Sequence, residues 1–153
     1  MLAMNLFRYF DELEKVSLRL VMLDILARMY GDLESNEADK ATYLLFGNLG
    51  PSYKSLEFNM AEKMVMRAMS KAYGVSVELV DGKFKDLGDL GLVIGELEPG
   101  DYKLSEDINE MYEELYKLAD LKGEGSQEGK IDLLASILSR ADGVSAKYLV
   151  RIV

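Results

Sequence analysis

Apolar residues recur at helical intervals along most of this chain, with charged residues between them. Within the first thirty residues, steps of three, four and seven connect these positions: Leu6, Phe10, Leu13, Leu20, Leu23 and Ala27. This spacing is typical of one face of an α-helix. It predicts one long helix, or two abutting helices, before a turn at Gly31.

Turn and capping signals divide the middle of the chain into shorter helices. We expect a short helix with Asn36 as its N-cap, followed by a loop rich in Gly, Pro and Ser over residues 47–55. Asn59 and Glu62, three residues apart, resemble a capping box. The apolar stripe behind them predicts a helix that ends before Gly74.

The second half of the chain continues in the same way. Ser76 is a predicted cap for a helix to about Lys85, residues 86–97 predict a turn and a brief apolar helix, and Ser105 begins a strongly periodic one. Two further striped helices follow the sequence GEGS. No segment alternates with a period of two for long enough to indicate a sheet, so we predict a compact all-α domain of roughly eight helices over residues 1–153.

Composition removes several classes of protein. A hydrophobic content of 49% over 153 residues can supply a buried core. The chain has no cysteine and no histidine, which excludes disulfides, thiolate metal sites and the commonest general base. Because no run of about eighteen apolar residues is present, we expect no membrane partner. The absence of cysteine, which argues against a secreted disulfide-stapled protein, favours a cytoplasmic location.

The acidic charge is concentrated in one part of the chain. Residues 73–121 hold four Lys against thirteen Asp and Glu, which accounts for the whole net charge of −9. Residues 54–72 and 122–153 are slightly basic, and the first thirty residues are nearly neutral. An anionic partner such as nucleic acid is therefore expected to use these three segments, because phosphates are bound chiefly by Lys and Arg.

Catalytic motifs are absent from the sequence. It contains no GxxxxGK[ST], no HExxH and no nucleophile elbow. The carboxylate pairs Glu106–Asp107 and Glu113–Glu114 lie in no apolar setting that would raise a carboxylate pKa. We interpret them as a solvated acidic helix face, and assign this chain no catalytic residue and no metal site.

The GEGS loop, residues 123–126, has two interpretations. Gly123 and Gly125 allow backbone conformations that other residues avoid, and Ser126 opens a helix whose first N–H groups lack intrahelical partners. Such a helix start can bind phosphate. Alternatively, Gly123 only terminates the preceding helix and Ser126 only caps the next one.

Five segments together resemble a known family. The C-terminal stretch KGEGSQEGKIDLLASILSRADGVSAKYLVRIV closely resembles the closing part of the N-terminal DNA-binding domain of ATP-dependent DNA ligases. The resemblance extends backwards through these segments: LGDLGLV, NMAEKMVMRAMSKAYGV, YLLFGNLGP and FDELEKVSLRLVMLDIL. They occur in the family's order and spacing and cover essentially the whole chain.

The resemblance implies a clamp role. Ligases of this family move AMP from a lysine to the 5′ phosphate of a nick, while the first domain grips the duplex across its minor groove. Carried over by position, the implied DNA contacts are Ser17, Arg19, Gly123, Gly125, Ser126, Gln127, Lys130, Lys147 and Arg151. For each of them, a plain helix cap or a solvated charge remains the alternative.

The resemblance also predicts what lies outside this chain. The family's K-x-D-G adenylation motif is missing, so we expect a fragment that needs no cofactor itself. ATP and a divalent metal, magnesium, are implied for the parent ligase. Its implied partners are nicked double-stranded DNA and the remaining ligase domains, near the nucleoid if the source is a prokaryote. The alternative function is an acidic helical protein-interaction module, which would suit the net charge of −9 and the nine methionines.

Overall fold

The computed structural model describes residues 1–54, 56–97 and 99–153. Within these ranges the chain forms nine α-helices, one short 3-10 helix at Ser52–Lys54, and no β-strand. The all-α prediction is confirmed. The helices are α1 (Ala3–Glu14), α2 (Arg19–Asp32), α3 (Ala38–Leu45), α4 (Glu62–Tyr73), α5 (Val77–Leu87), α6 (Leu90–Glu96), α7 (Ile108–Asp120), α8 (Ser126–Ser139) and α9 (Gly143–Ile152). Ser55, the last residue of the predicted loop, lies outside the described residues.

Several helix ends lie where the sequence predicts them. Gly74 ends α4 in the left-handed region with φ +64°, a conformation that glycine adopts at little cost. The Ser76 side chain accepts a hydrogen bond from the Leu79 N–H and so caps α5. Asp89 caps α6 in the same way, by accepting from the Gly91 N–H at 2.7 Å.

Two predicted N-caps are wrong. Helix α3 begins after Glu37 rather than Asn36, and Glu37 makes no capping hydrogen bond. Asn59 does not cap α4, because its own φ is +52° and the chain continues extended to Ala61 before the helix begins. The expected capping box with Glu62 is therefore not formed.

A capping box does occur at α7, two residues after the predicted start at Ser105. The Asp107 carboxylate accepts from the Glu110 N–H at 2.9 Å, and the Glu110 carboxylate accepts from the Asp107 N–H at 3.0 Å. The box thus gives acceptors to the N–H groups of Asp107 and Glu110 at this helix start.

One continuous apolar core joins the helices. Helix α4 packs along α8, while α9 packs against both α1 and α6. The Tyr148 ring of α9 stacks on Phe7 with centroids 6.4 Å apart, and it meets Phe10 edge-on at 5.8 Å. This aromatic cluster fixes α9 against α1, and with it the basic residues that α9 carries.

Helix α2 is the least buried of the long helices. It packs chiefly against α1, and only Ile25 and Met29 are fully buried. The predicted stripe through Leu20, Leu23 and Ala27 lies on the solvent side instead.

Candidate nucleic-acid interface

The α7–α8 loop has the backbone geometry that its glycines predict. Gly123 and Gly125 have φ values of +89° and +77°, in the left-handed region. No atom outside the local chain lies within 4 Å of the Cβ that a side chain would add at either position, so conformation, and not crowding, is what favours glycine. The loop is exposed to solvent at residues 121–125.

Helix α8 starts with unsatisfied backbone donors. The Ser126 N–H donates to the Gly123 carbonyl at 3.2 Å, which closes a tight turn. No side chain caps the helix, and the N–H groups of Gln127 and Glu128 have no acceptor among the described residues. Two amide donors therefore point outward at the positive end of the α8 dipole, where an anion binds favourably.

Lys130 does not belong to this exposed surface, contrary to the position that sequence reasoning gives it. Its side chain is only 5% exposed, and its Nζ donates to the Phe58 carbonyl at 2.6 Å. Burial, and secondarily the nearby Lys122, lowers the pKa of Lys130. The side chain connects α8 to the segment that precedes α4. Its ammonium group is therefore already hydrogen-bonded inside the protein.

Lys122 supplies the cation that the loop presents to solvent. It directly precedes Gly123 and its side chain is exposed. Sequence reasoning missed it because it weighed Lys130 as the helical cation. Its position directly before Gly123, the first glycine of the loop, is the feature of the sequence that could have identified it.

Ser17 and Arg19 lie on the α1–α2 connection. Both are exposed; Ser17 is in the loop and Arg19 is the first residue of α2. Among the described residues, no carboxylate lies within ion-pair distance of Arg19 or Lys122. These two charges are thus available to a phosphate.

Lys147 and Arg151 differ from Arg19 and Lys122 because both form ion pairs with carboxylates. Lys147 Nζ lies 2.5 Å from the Asp11 carboxylate and 3.2 Å from Glu14. The Arg151 guanidinium pairs with Glu14 at 3.0 Å and with Asp89 at 2.9 Å. Lys15 also lies 2.5 Å from Asp11, so three carboxylates meet three cations in this α1–α6–α9 cluster. A phosphate that docks here must therefore displace internal partners.

The pKa values of these carboxylates reflect their partners. The Tyr148 hydroxyl donates to Glu14 and is the main cause of its lowered pKa, with Lys147 and Arg151 adding to the effect. Burial alone would raise the pKa of Asp89. The hydrogen bonds and the charge of Arg151, together with the N–H groups of Gly91 and Leu92, outweigh burial, and the pKa is lowered. Both groups are therefore held in the ionised form that keeps α9 paired with α1 and α6.

Lys130 and Arg151 each connect their helix to a distant part of the chain. Lys130 bonds to Phe58, and the segment around Phe58 lines a surface cavity of about 560 Å³ together with Ile152 and Val153. Arg151, in the same turn of α9, pairs with Glu14 at the end of α1. These contacts join Lys130 to the segment before α4 and Arg151 to the end of α1, and only some of the predicted site residues face solvent with a free charge.

Helices α4 and α8 run side by side in one register. Arg67 pairs with Glu128, and one turn later Lys71 lies 2.6 Å from Asp132. Extended one turn back, this register brings Lys63 to the level of the GEGS loop. Lys63 is exposed. It is therefore a second cation near the α8 start, and it is not among the contacts that the family resemblance implies.

Comparison with known proteins identifies the family. The sequence pattern of the DNA ligase N terminus matches residues 3–153. The chain belongs to the DNA ligase N-terminus family. It is 36% identical over its full length to a probable DNA ligase of Dictyoglomus thermophilum. Over 95% of its length it is 36% identical to a DNA ligase of Acidianus ambivalens, and over 94% it is 35% identical to DNA ligase 1 of Methanosarcina acetivorans.

This ligase N-terminal chain spans only about a quarter of the length of those relatives, 26%, 26% and 25% respectively. Within residues 1–54, 56–97 and 99–153, no group of three or more Asp, Glu, His or Cys side chains could hold a metal ion. In the same ranges, none of the ligase chain's helices has the length and apolar character needed to cross a membrane.

Proposed function

We propose that this chain is the DNA-binding domain of an ATP-dependent DNA ligase, which holds nicked duplex DNA by phosphate contacts while later domains seal the nick. The observation that carries the proposal is the start of α8. There, a left-handed glycine loop presents two free amide donors beside the exposed cation Lys122. Backbone donors at a helix start and an adjacent lysine form an anion site of the kind that phosphates occupy.

The proposed contacts differ from the full set implied by resemblance. Ser17, the α8 amides and three exposed cations face solvent, and we assign them to the phosphate backbone; the cations are Arg19, Lys63 and Lys122. Lys130 acts as an internal brace. Lys147 and Arg151 mainly hold α9 in place through their carboxylate partners. Phosphate contacts carry no sequence information, which suits a protein that must act at any nick.

ATP and a divalent metal ion belong to the proposed parent enzyme. The described residues do not fit either group, since no acidic cluster could bind the metal and the sequence contains no K-x-D-G motif. We therefore assign nucleotide and metal chemistry to the later domains, and no step of that chemistry to this chain.

Substitutions at Gly125 test the proposal through a matched pair. Gly125→Ala and Gly125→Asp both add a Cβ to a backbone with φ +77°, where no atom crowds it. Asp tolerates this left-handed conformation better than Ala, so weaker binding of the Asp variant cannot be attributed to backbone strain. Only Asp also places a negative charge at the α8 start. We expect Gly125→Asp to weaken binding of the 1–153 chain to nicked duplex about tenfold beyond Gly125→Ala, a difference of about 1.4 kcal/mol. Equal affinities for the two variants would remove this helix start from the DNA surface.

A second pair tests the loop cation. Lys122→Glu reverses an exposed charge beside Gly123, whereas Lys103→Glu reverses an exposed charge between α6 and α7. Both variants change the net charge equally. The proposal requires weaker DNA binding for Lys122→Glu than for Lys103→Glu, and identical losses would indicate a non-specific effect of net charge.

The acidic protein-interaction module remains the second candidate, because α2 exposes apolar side chains. The two functions respond differently to salt. Phosphate binding weakens steeply as salt rises, whereas an apolar contact does not.

A further inference from the structure

Tyrosines line a cavity between α3, α7 and the segment that connects α3 to α4. The cavity has a volume of about 360 Å³, which lies in the range of sites that bind small ligands. Its aromatic residues are Tyr43 of α3, Tyr53 of the 3-10 helix, and Tyr112 and Tyr116 of α7. We call this space the tyrosine cavity. None of the residues assigned above to the phosphate backbone lines it.

The tyrosine cavity combines a fixed wall with open ring surface. The hydroxyl of the half-buried Tyr112 donates to the Leu49 carbonyl, which holds this ring against the α3–α4 segment. Tyr53 and Tyr116 are 82% and 46% exposed. Apolar surface left open beside a formed cavity is typical of a binding site. The rings therefore offer their faces to a ligand.

One carboxylate and one ammonium group also line the tyrosine cavity. They belong to Asp39 and Lys54. Both side chains are exposed, and neither forms an ion pair within the part of the chain that the structure describes. Burial raises the pKa of the Tyr112 hydroxyl, and Asp39 adds to the rise because its charge lies close to that ring.

Aromatic faces, a carboxylate and an ammonium group together favour a nucleotide as the ligand. A base stacks on aromatic rings. Its amino group can donate to Asp39, and its phosphate can pair with Lys54. A cationic side chain would also bind over tyrosine rings, but Lys54 would repel it. A proline-rich peptide packs on aromatic rings as well, but its proline rings offer neither a donor to Asp39 nor an anion to Lys54.

The tyrosine cavity lies within reach of the proposed phosphate surface. Tyr116 precedes Leu121, at the start of the exposed loop, by five residues, which is about 7.5 Å of helix. A DNA strand advances about 3.4 Å per nucleotide. A strand whose phosphate is held at the α8 start can therefore reach the cavity about two nucleotides further on. A paired base is stacked inside the duplex, so only an unpaired base can enter.

We propose that the tyrosine cavity binds an unpaired, amino-bearing base of a DNA strand, as in a single-stranded flap at a nick. The cavity then distinguishes a nick that carries a flap from a flush nick, which phosphate contacts alone do not do. The inference rests on the proposed function, because the DNA must be held at the α8 start.

Three substitutions test the cavity. Tyr53→Ala removes an exposed ring from it. Tyr102→Ala is the matched control, because that ring is 57% exposed and lies outside the cavity, between α6 and α7. Tyr53→Phe keeps the ring and loses only the hydroxyl. Fluorescence anisotropy of labelled DNA measures the affinity of the 1–153 chain for a flush nick and for the same nick with a short oligo-dC flap on the 5′ or the 3′ side.

We expect a flap of one polarity to tighten binding at least about fivefold, since stacking of one base on an aromatic ring contributes at least that factor. The gain should vanish in Tyr53→Ala and persist in Tyr102→Ala and Tyr53→Phe. Equal affinities of the parent chain for the flush nick and both flapped nicks would overturn the inference, as would a gain that survives Tyr53→Ala. Tyr53-dependent binding of dCMP alone at micromolar concentrations would overturn it in favour of a site for free nucleotides.

This outcome is separable from that of the proposed function. If the 1–153 chain fails to bind the flush nick but binds an oligo-dC strand in a Tyr53-dependent way, the phosphate grip is refuted and the base site upheld. Conversely, normal binding of the flush nick with no gain from either flap would refute the base site alone.

Discussion

Replacement of Lys130 by glutamate should destabilise the fold strongly, although a lysine in the first turns of a helix would ordinarily be a surface residue. The side chain is 5% exposed, and its ammonium group donates to the Phe58 carbonyl at 2.6 Å. Lys130→Glu removes this hydrogen bond to a charged donor, worth about 1.5–3 kcal/mol. It also leaves a buried carboxylate facing a carbonyl oxygen, and an unpaired buried charge costs about 3–5 kcal/mol.

These effects overlap, so we expect a loss of at least about 3 kcal/mol in the free energy of unfolding, against a total of roughly 5–15 kcal/mol for a typical protein. Urea denaturation of the 1–153 chain measures it. Lys130→Met is the matched control, because it keeps most of the apolar stem and adds no charge, and its loss should be clearly smaller. A Lys130→Glu protein within about 0.5 kcal/mol of the parent, as for a surface substitution, would show that Lys130 is not buried in solution.

Two further predictions concern the interior and the α1–α6–α9 cluster. The Tyr73 hydroxyl is buried without a hydrogen-bond partner among the described residues. Tyr73→Phe should therefore raise the free energy of unfolding by about 1 kcal/mol in urea titrations, and a marked loss would reveal a hidden partner. Because the pKa values of Glu14 and Asp89 are lowered in the folded state, their stabilisation should be complete above about pH 5 and should fall as pH drops below about 4. The acid dependence should be smaller in Arg151→Met, and an unchanged dependence would contradict the assignment of these pairs.

The sequence predicts the helices well where the signal is local. Gly74 ends α4 because a left-handed residue is needed there, and Ser76 caps α5 through an N–H three residues away. Asn59 fails as a cap although its spacing to Glu62 is suitable, because the backbone at Asn59 is already left-handed and the chain stays extended to Ala61. Residue type gives no information about such a conformation.

Periodicity could not choose the buried face of α2. Leu20 and Leu23 follow helical spacing, but Ile25 and Met29 do so equally, on another side of the same helix. Only the position of α1 decides which pair is buried. An apolar pattern on both sides of a helix is therefore ambiguous until the neighbouring helix is known.

The candidate site could be predicted only in part for a related reason. The glycines of the GEGS loop carry a local conformational signal, and both adopt the expected positive φ. Whether each cation is buried, paired or free depends on residues that are distant in the sequence. Lys130 bonds to a carbonyl 72 positions away, and Lys147 pairs with a carboxylate 136 positions away. Lysine is also among the residues least often buried, so nothing near Lys130 in the sequence signals its burial.

The measurement that decides whether this domain holds DNA by its phosphates is a salt titration of nicked-duplex binding by the 1–153 chain. Arg19, Lys63 and Lys122 are exposed cations at or near the proposed surface. At about 0.9 per neutralised phosphate, three such contacts predict a slope of log affinity against log salt of about −3. The same titration on a chain with all three residues changed to Gln should give weaker binding and a slope near zero. A flat response of the parent chain between low and physiological salt, or an unchanged slope in the triple variant, would contradict this account.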